Sequence, residues 1–298
     1  MLTTLDCPGH PRDMGLAQGT AARAAIRAES ARLGLSTRRS RLPHLRPLAV
    51  GAVRGEGAGR ELFRHFAHLA ERIEGVAKAS DLPLDSVVEM HLRVRAGGES
   101  GGLLARRATV SARTLEASSA EKRWTLERSL PGALEGEADW IVRSSRPAVG
   151  FASVEIGLPW LVSSVAGVNE AGLAVVGGPL LWSSGGRDGD PTSLLLVQEC
   201  LQRFPDLDGA LDWCSKRPVA GEQSLVLSDA AGHLATVLVS GGERRIQYGE
   251  SELQLEAGEP DSGGATRSAG IVSIDPVGRR LSLRRGDAAL DLTPGQPD

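Results

Sequence analysis

The sequence predicts an α+β fold of stacked layers with largely antiparallel sheets. Three observations predict it. Apolar residues recur at helical spacing through the first third of the chain, the period changes to two beyond residue 100, and two helical stretches near 191–217 precede a return to strands. The regular strand–helix alternation that a parallel sheet requires is absent.

Taken in order, Asp13 is placed to cap a helix running to about Arg32, rich in Ala, with Gly15 and Gly19 on one face. Leu62, Phe66, Leu69, Ile73 and Val76 make the apolar stripe of a second helix. Asp81-Leu-Pro-Leu-Asp85 breaks it, and a third follows from Asp85 with Val87, Val88 and His91 on one side. Between the first two helices, Arg38–Gly59 reads as a basic, solvated linker. Trp140–Ser144, Val154–Ile156, Leu161–Val165 and Leu173–Val176 read as strands punctuated by Gly and Pro. Pro191 suits the first turn of a helix reaching Phe204, and Asp206 or Asp208 caps the next, which ends before Pro218. Strands resume at 224–227, 234–239, 244–248 and 253–255, and a last hairpin joins 271–274 to 281–283 through Asp275-Pro-Val-Gly278.

Composition narrows the function. Lys and Arg total 34 against 37 Asp and Glu, a net charge of −3, which excludes the basic surplus of a nucleic-acid binder. Three Cys, at 7, 200 and 214, form neither a disulfide framework nor a zinc spacing. The amino-terminal residues show no basic-then-apolar leader, and the longest nearly apolar run, 173–182, is about half a membrane span. These features lead us to expect a cytoplasmic protein with a small-molecule partner, no membrane or nucleic-acid partner, and no metal or cofactor. Composition leaves the oligomeric state open.

Gly98-Glu-Ser100-Gly-Gly102 satisfies GxSxG, the turn that exposes a nucleophilic serine after a buried strand. The preceding residues read as helix, and His233 is the only histidine beyond His91. The alternatives are a serine hydrolase built on Ser100 and a Gly-rich connector. His65 and His68 read as a solvated helix face, Cys200 and Cys214 as core, and Arg143 and Arg146 as a solvated strand edge or an anion contact. Asn169 and Asp229 occupy turn signals.

An ordered set of segments carries a resemblance. It comprises Gly9-His-Pro-Arg-Asp-Met-Gly15-Leu-Ala-Gln-Gly19, Ile73–Asp85, Gly167-Val-Asn-Glu-Ala-Gly-Leu-Ala-Val-Val-Gly-Gly-Pro-Leu180, the helix 191–203 and the hairpin 225–237. In this order they resemble the penicillin acyltransferase-type N-terminal-nucleophile (Ntn) hydrolases, with cholylglycine hydrolases as more distant relatives, over roughly residues 5–285. The resemblance implies a four-layer αββα sandwich filling 1–298 as one domain, with 5–97 mainly helical and 98–285 mainly sheet. It implies amide hydrolysis or acyl transfer by a residue that self-cleavage makes amino-terminal, with that residue's α-amine as base.

The chain departs from the pattern at the reacting positions. No Cys lies between Cys7 and Cys200, so Ser100 is the candidate nucleophile, exposed by cleavage after Glu99. Arg128 is the counterpart of the family's orienting arginine, yet no Asp or Asn lies between residues 86 and 138. Asn169 is the chain's single Asn, and Pro179 stands where the cholylglycine branch has another. The two readings within the scaffold are an altered amide hydrolase or acyltransferase and a catalytically inactive ligand-binding homologue.

Overall fold

A computed structural model describes residues 3–35, 56–93, 102–115, 123–133, 139–180, 190–257 and 268–295. The chain begins with β1 (Thr3–Gly9), followed by α1 (Pro11–Ala21), α2 (Arg23–Arg32), α3 (Glu56–His65), α4 (Ala67–Ser80) and α5 (Leu84–Arg93). A single 3-10 turn, Gly102–Leu104, leads to β2 (Ala108–Leu115), β3 (Arg123–Pro131), β4 (Ile141–Pro147), β5 (Ser153–Gly157), β6 (Ala166–Asn169) and β7 (Ala174–Gly177). Then come α6 (Leu195–Arg203), α7 (Leu207–Lys216), β8 (Glu222–Ser228), β9 (Leu234–Ser240), β10 (Glu243–Tyr248), β11 (Leu253–Ala257), β12 (Ser268–Asp275), β13 (Arg280–Arg285) and β14 (Ala288–Leu292).

The strands form two sheets. One has eight strands in the order β1-β4-β5-β6-β7-β8-β9-β10, and the other six in the order β11-β2-β3-β12-β13-β14. Every pairing is antiparallel except β1 with β4. The sheets stack face to face, with β2 and β3 over β8 and β7, and β12 and β13 over β6 and β5. This is the α+β arrangement that the sequence predicts. Three of the described helices pack on the eight-stranded sheet: α1 on β1 and β4, α6 on β6 and β7, α7 on β9 and β10. The outer face of the six-stranded sheet, which a four-layer arrangement covers with helix, carries exposed Arg113 and half-exposed Ile271 in the described residues.

Small residues set the tightest approach in the helical layer. α1 crosses α4 so closely that a Cβ added at Gly15 would lie 2.1 Å from the Arg72 carbonyl oxygen, and one at Gly75 would lie 2.2 Å from that of Arg12. Gly19 completes the face, as its spacing from Gly15 predicts.

Several elements differ from expectation. The first helix is two, broken at Ala22 (φ −103, ψ 13), and its cap position is His10 followed by Pro11, with Asp13 inside the first turn. The second also divides, at Phe66 (φ −133, ψ 47). The expected linker lies outside the described residues up to 55, and its last residues open α3. The structure makes a strand of 3–9, where Leu5 and Cys7 alternate inward. Leu161–Val165 is not a strand: the carbonyls of Leu161, Val162 and Ser163 accept from Arg143 instead of from a neighbouring strand. Pro191–Leu194 is a turn before α6, and Asp206 is the residue that caps α7, accepting from the Gly209 N–H at 3.0 Å. β2, β3 and β14 carry no separate sequence prediction.

Gly15→Ala is expected to cost about 3 kcal/mol, because the methyl group meets main chain that cannot turn aside. Gly242→Ala, with nothing within 4 Å of the added carbon, is expected to change stability by less than about 0.5 kcal/mol. Urea unfolding of the two variants, read side by side, checks both.

Candidate functional site

Strand period places Trp124, Leu126, Arg128 and Leu130 on the inward face of β3, against the other sheet. Arg128 pairs in register with Val110 on β2 and Val272 on β12, so both lateral neighbours are apolar. Its side chain is 0% exposed, and its Nε, Nη1 and Nη2 atoms all lack a hydrogen-bond partner. Burial alone pulls its guanidinium down to about 9. The adjacent acid, Glu127, points outward, where Oε1 accepts from Ser273 Oγ at 3.1 Å and Oε2 lies 3.8 Å from Arg113. Each end of β3 is pinned by an indole: Trp124 Nε1 donates to the Gly232 carbonyl and Trp140 Nε1 to that of Pro131.

Arg143 shows the opposite solution on the helix-facing side of the eight-stranded sheet. The sequence reading as a solvated strand edge is corrected here, because β1 pairs beside β4 and leaves Arg143 1% exposed. Its Nε donates to Glu155 Oε2 at 2.9 Å, and Nη1 and Nη2 donate to Gln18, Gln198 and three main-chain carbonyls. Gln198 and Ser153 in turn donate to Glu155 Oε1. Burial pushes the Glu155 carboxyl up, and Arg143 and Arg72 with these hydrogen bonds more than reverse that, so it titrates below its ordinary range. Arg146, by contrast, is exposed and pairs with Asp6.

Arg72 reaches the same layer from α4. It donates to Ser145 Oγ at 3.4 Å, its Nε and Nη1 have no partner, and burial together with the Arg143 charge pulls it down to about 10. Cys7 lies beside it with its thiol pushed up by burial, an effect that Arg72 and Arg143 only partly offset. Fully buried in the middle of β1, it is not placed as an amino-terminal nucleophile.

Ser100 lies outside the described residues. The last described element before it is the helix α5, which ends at Arg93. Asn169 is fully committed: Nδ2 donates to the Leu201 and Phe204 carbonyls at 3.0 and 2.8 Å, and Oδ1 accepts from the Ala171 and Leu173 N–H groups. It ties the end of α6 to the β6–β7 turn and has no bond left for a ligand. Asp229 is likewise structural, accepting from the N–H groups of Leu207, Ala231 and His233. His65 faces Glu61 and His68 faces Glu199, so the two imidazoles do not converge. Cys200 and Cys214 are buried with their sulfurs 3.5 Å apart. Among the described residues no three metal-binding side chains group together, and no helix is long and apolar enough to cross a membrane.

No family model matches the chain, and no curated protein matches it. Among solved structures it is similar to penicillin V acylase from Agrobacterium tumefaciens, at 15% identity over 62% of this chain and 84% of that one, with a TM-score of 0.44. It is similar to a variant of conjugated bile acid hydrolase from Clostridium perfringens, at 10% identity over 62% and 92% of the two chains and a TM-score of 0.44. A third is the Caenorhabditis elegans ortholog of N-acylethanolamine-hydrolyzing acid amidase, at 9% identity over 57% and 93%, TM-score 0.39. The fold class rests on the two sheets themselves.

Arg72, Glu155, Gln18 and Gln198 did not emerge from the sequence as polar core. One signal for them is present: Val154-Glu155-Ile156 sets an acid inside an apolar strand, which asks for a buried cation.

His91 provides a test of this layer. Nδ1 donates to the Val87 carbonyl at 2.8 Å and Nε2 accepts from the Val162 N–H at 3.1 Å, an arrangement only the neutral ring can make. Burial, with the Arg143 charge adding to it, brings the folded-state value down to about 4. The unfolded chain therefore takes up the proton first. Stability is full above pH ~6.5 and falls by roughly 3 kcal/mol as pH drops from ~6.5 to ~4. Urea midpoints across that window are expected to fall steeply for the wild type and to flatten in His91→Gln. Any Glu155 contribution is lost lower, below its ordinary value of 4.5.

Proposed function

We propose that the chain is an Ntn-hydrolase-like scaffold that takes a small N-acyl compound between its two sheets. In this reading Arg128 orients the amide, and Ser100 is the nucleophile wherever catalysis persists. The observation that carries the reading is the buried guanidinium of Arg128, held inward with every donor unmade. Arg143, buried to the same degree, is paired with Glu155, and a lone buried cation is costly unless something else completes it. The ordered sequence segments support the same reading, since the resemblance implies an orienting arginine in this hairpin.

The chemistry would follow from a new amino terminus at Ser100. Its α-amine, titrating near ~8, takes the proton of the neighbouring hydroxyl as the oxygen attacks an amide carbonyl, and returns it to the departing amine. Donors such as Arg128 then meet the developing oxyanion. The missing Cys, Asp and second Asn favour altered chemistry over the family's own and keep a non-catalytic binder as the second reading. A serine hydrolase of the elbow type has less support, because among the described residues no histidine–acid pair is brought to the end of α5. Three free, buried thiols suit a reducing compartment, and we place the protein in the cytoplasm.

Intact mass tests nucleophile and self-cleavage together. An active enzyme is expected to resolve into fragments of about one third and two thirds of 31.3 kDa, the larger beginning at Ser100. Ser100→Ala is then expected to remain whole and inactive. A wild-type chain that stays at 31.3 kDa and hydrolyses no N-acyl amino acid supports the non-catalytic reading.

A further inference from the structure

We propose that Cys200 and Cys214 are a redox pair, which a small disulfide of the glutathione type closes into a staple between α6 and α7 and a small thiol reopens. Cys200 lies on α6 and Cys214 on α7, and their sulfurs are in contact at 3.5 Å as free thiols. Cys200 Sγ also lies 4.0 Å from the Ala210 carbonyl oxygen, one turn before Cys214 on the same face of α7. The sulfur of α6 thus rests against the Ala210–Cys214 edge of the other helix. Closing to the ~2.05 Å of a disulfide asks only for side-chain rotation and a small shift of one helix. Cys7 belongs to another part of the core, on β1 beside Arg72 and Arg143.

The two helices are held unequally. α6 is anchored: Asn169 donates to the Leu201 and Phe204 carbonyls at its end, and Gln198 enters the Arg143–Glu155 network. α7 has ten residues, with Asp212, Ser215 and Lys216 exposed. Its last turn is latched from outside by Arg244 of β10, whose Nε donates to the Cys214 carbonyl at 3.3 Å and Nη2 to the Arg217 carbonyl at 3.0 Å. Arg203 and Arg217 cover Trp213 at 4.3 and 3.5 Å from its ring centroid. Such a terminal turn, held by partly exposed contacts, opens at far lower cost than the core. When it lifts, Cys214 moves with it to solvent, while Cys200 stays on the anchored helix. With α7 closed, the hydrogen bond to Cys214 and burial hold the Cys200 thiol well above its ordinary range, so the resting pair is unreactive.

The chemistry balances with the small disulfide as oxidant. Cys214 loses its proton to water, and its thiolate attacks one sulfur of the small disulfide. That S–S bond breaks, and one small thiolate leaves and takes up a proton. Cys200 then gives up its proton, attacks the Cys214 sulfur of the mixed disulfide and expels the second small thiol. The two protein thiols are oxidised by two electrons, and the small disulfide is reduced to two thiols. In a reducing compartment the pair rests as thiols and closes when small disulfide accumulates. The closed loop, residues 200–214, restricts the unfolded chain, so the stapled form is the more stable one.

The experiment incubates the native full chain with oxidised glutathione, blocks the remaining thiols with an alkylating reagent, and reads intact mass, a peptide map and a calorimetric scan. The wild type is expected to lose two hydrogens, to keep one alkylatable thiol that maps to Cys7, and to melt about 5 °C higher. Dithiothreitol is expected to restore all three thiols and the original melting temperature. Arg244→Gln, which removes the latch, is expected to close about two- to tenfold faster and to reach the same product. Cys214→Ala is expected to form no internal bridge.

Three alkylatable thiols after long incubation overturn the proposal, provided they persist in urea kept below the unfolding transition, where the last turn of α7 opens. So does glutathione that stays on Cys214 unresolved, a bridge that includes Cys7, or a stapled chain that melts lower than the reduced one. An Arg244→Gln chain that closes no faster than the wild type overturns the route through α7. Should Cys214→Ala not fold, the wild-type map decides alone.

Discussion

The pairing of Arg143 with Glu155 is the constraint on which the helical side of the molecule depends. The two residues sit opposite each other on β4 and β5, and both point toward the helices. Around them converge Gln18 from α1, Gln198 from α6 and the carbonyls of Leu161, Val162 and Ser163. One guanidinium thus fixes the spacing of two helices from one sheet and decides the path of a segment that would otherwise extend as a strand. A second layer of bonds holds that path: Gln18 Nε2 donates to the Pro159 and Leu161 carbonyls, and His91 accepts from Val162. Removing one member leaves another buried and unpaired, which is why such a network breaks at several kcal/mol even where its net gain over an apolar core is small.

Three buried arginines in this chain occupy three electrostatic states. Arg143 has a carboxylate and a ring of acceptors. Arg72 has one long hydrogen bond to Ser145 and a thiol beside it, and it shares its surroundings with the like charge of Arg143. Arg128 has no hydrogen-bond partner among the described residues, and burial is what lowers it. The side chain and the degree of burial are the same throughout, so the difference lies in what the fold supplies. On the helix side it supplies main-chain carbonyls, because irregular backbone runs there. Between the sheets the neighbours of Arg128 in register are Val110 and Val272, and β7 and β8 present Ala174, Val176, Val226 and Ser228. A cation placed in that layer stays unpaired unless its partner arrives from outside.

Much of this was legible in the sequence, and the failures have physical reasons. The helix-helix crossing could be read from Gly15 and Gly19, since only a shortage of side chain lets two backbones approach so closely. The strands around Val142, Val154 and Val175 could be read from their alternation. Arg128 could be singled out through the resemblance of its hairpin, although its isolation could not, because isolation is a property of the strands that face it. Arg143 was misread as solvated because a polar residue in an alternating strand ordinarily faces water. Here β1, a strand whose Thr, Asp and Pro residues hide its alternation, covers the edge and helices cover the face. Leu161–Val165 has strand composition throughout, and what denies it a strand is a tertiary hydrogen-bond demand invisible to local pattern. Asn169, read from the sequence as a turn residue, is a fully bonded corner.

The inward face of β3 shows that the isolation of Arg128 is built in at several positions at once. A counter-ion could have been placed at Val110 or Val272, the two positions in lateral register with it, at the cost of a single substitution. Either acid would have set a counter-charge beside the buried guanidinium. With both positions as valine, the interior remains apolar and the charge remains open. A charge in so apolar a layer is little screened. The fold thus pairs its buried cation on the helix side, through Arg143 and Glu155, and leaves the one between the sheets without an acid beside it among the described residues.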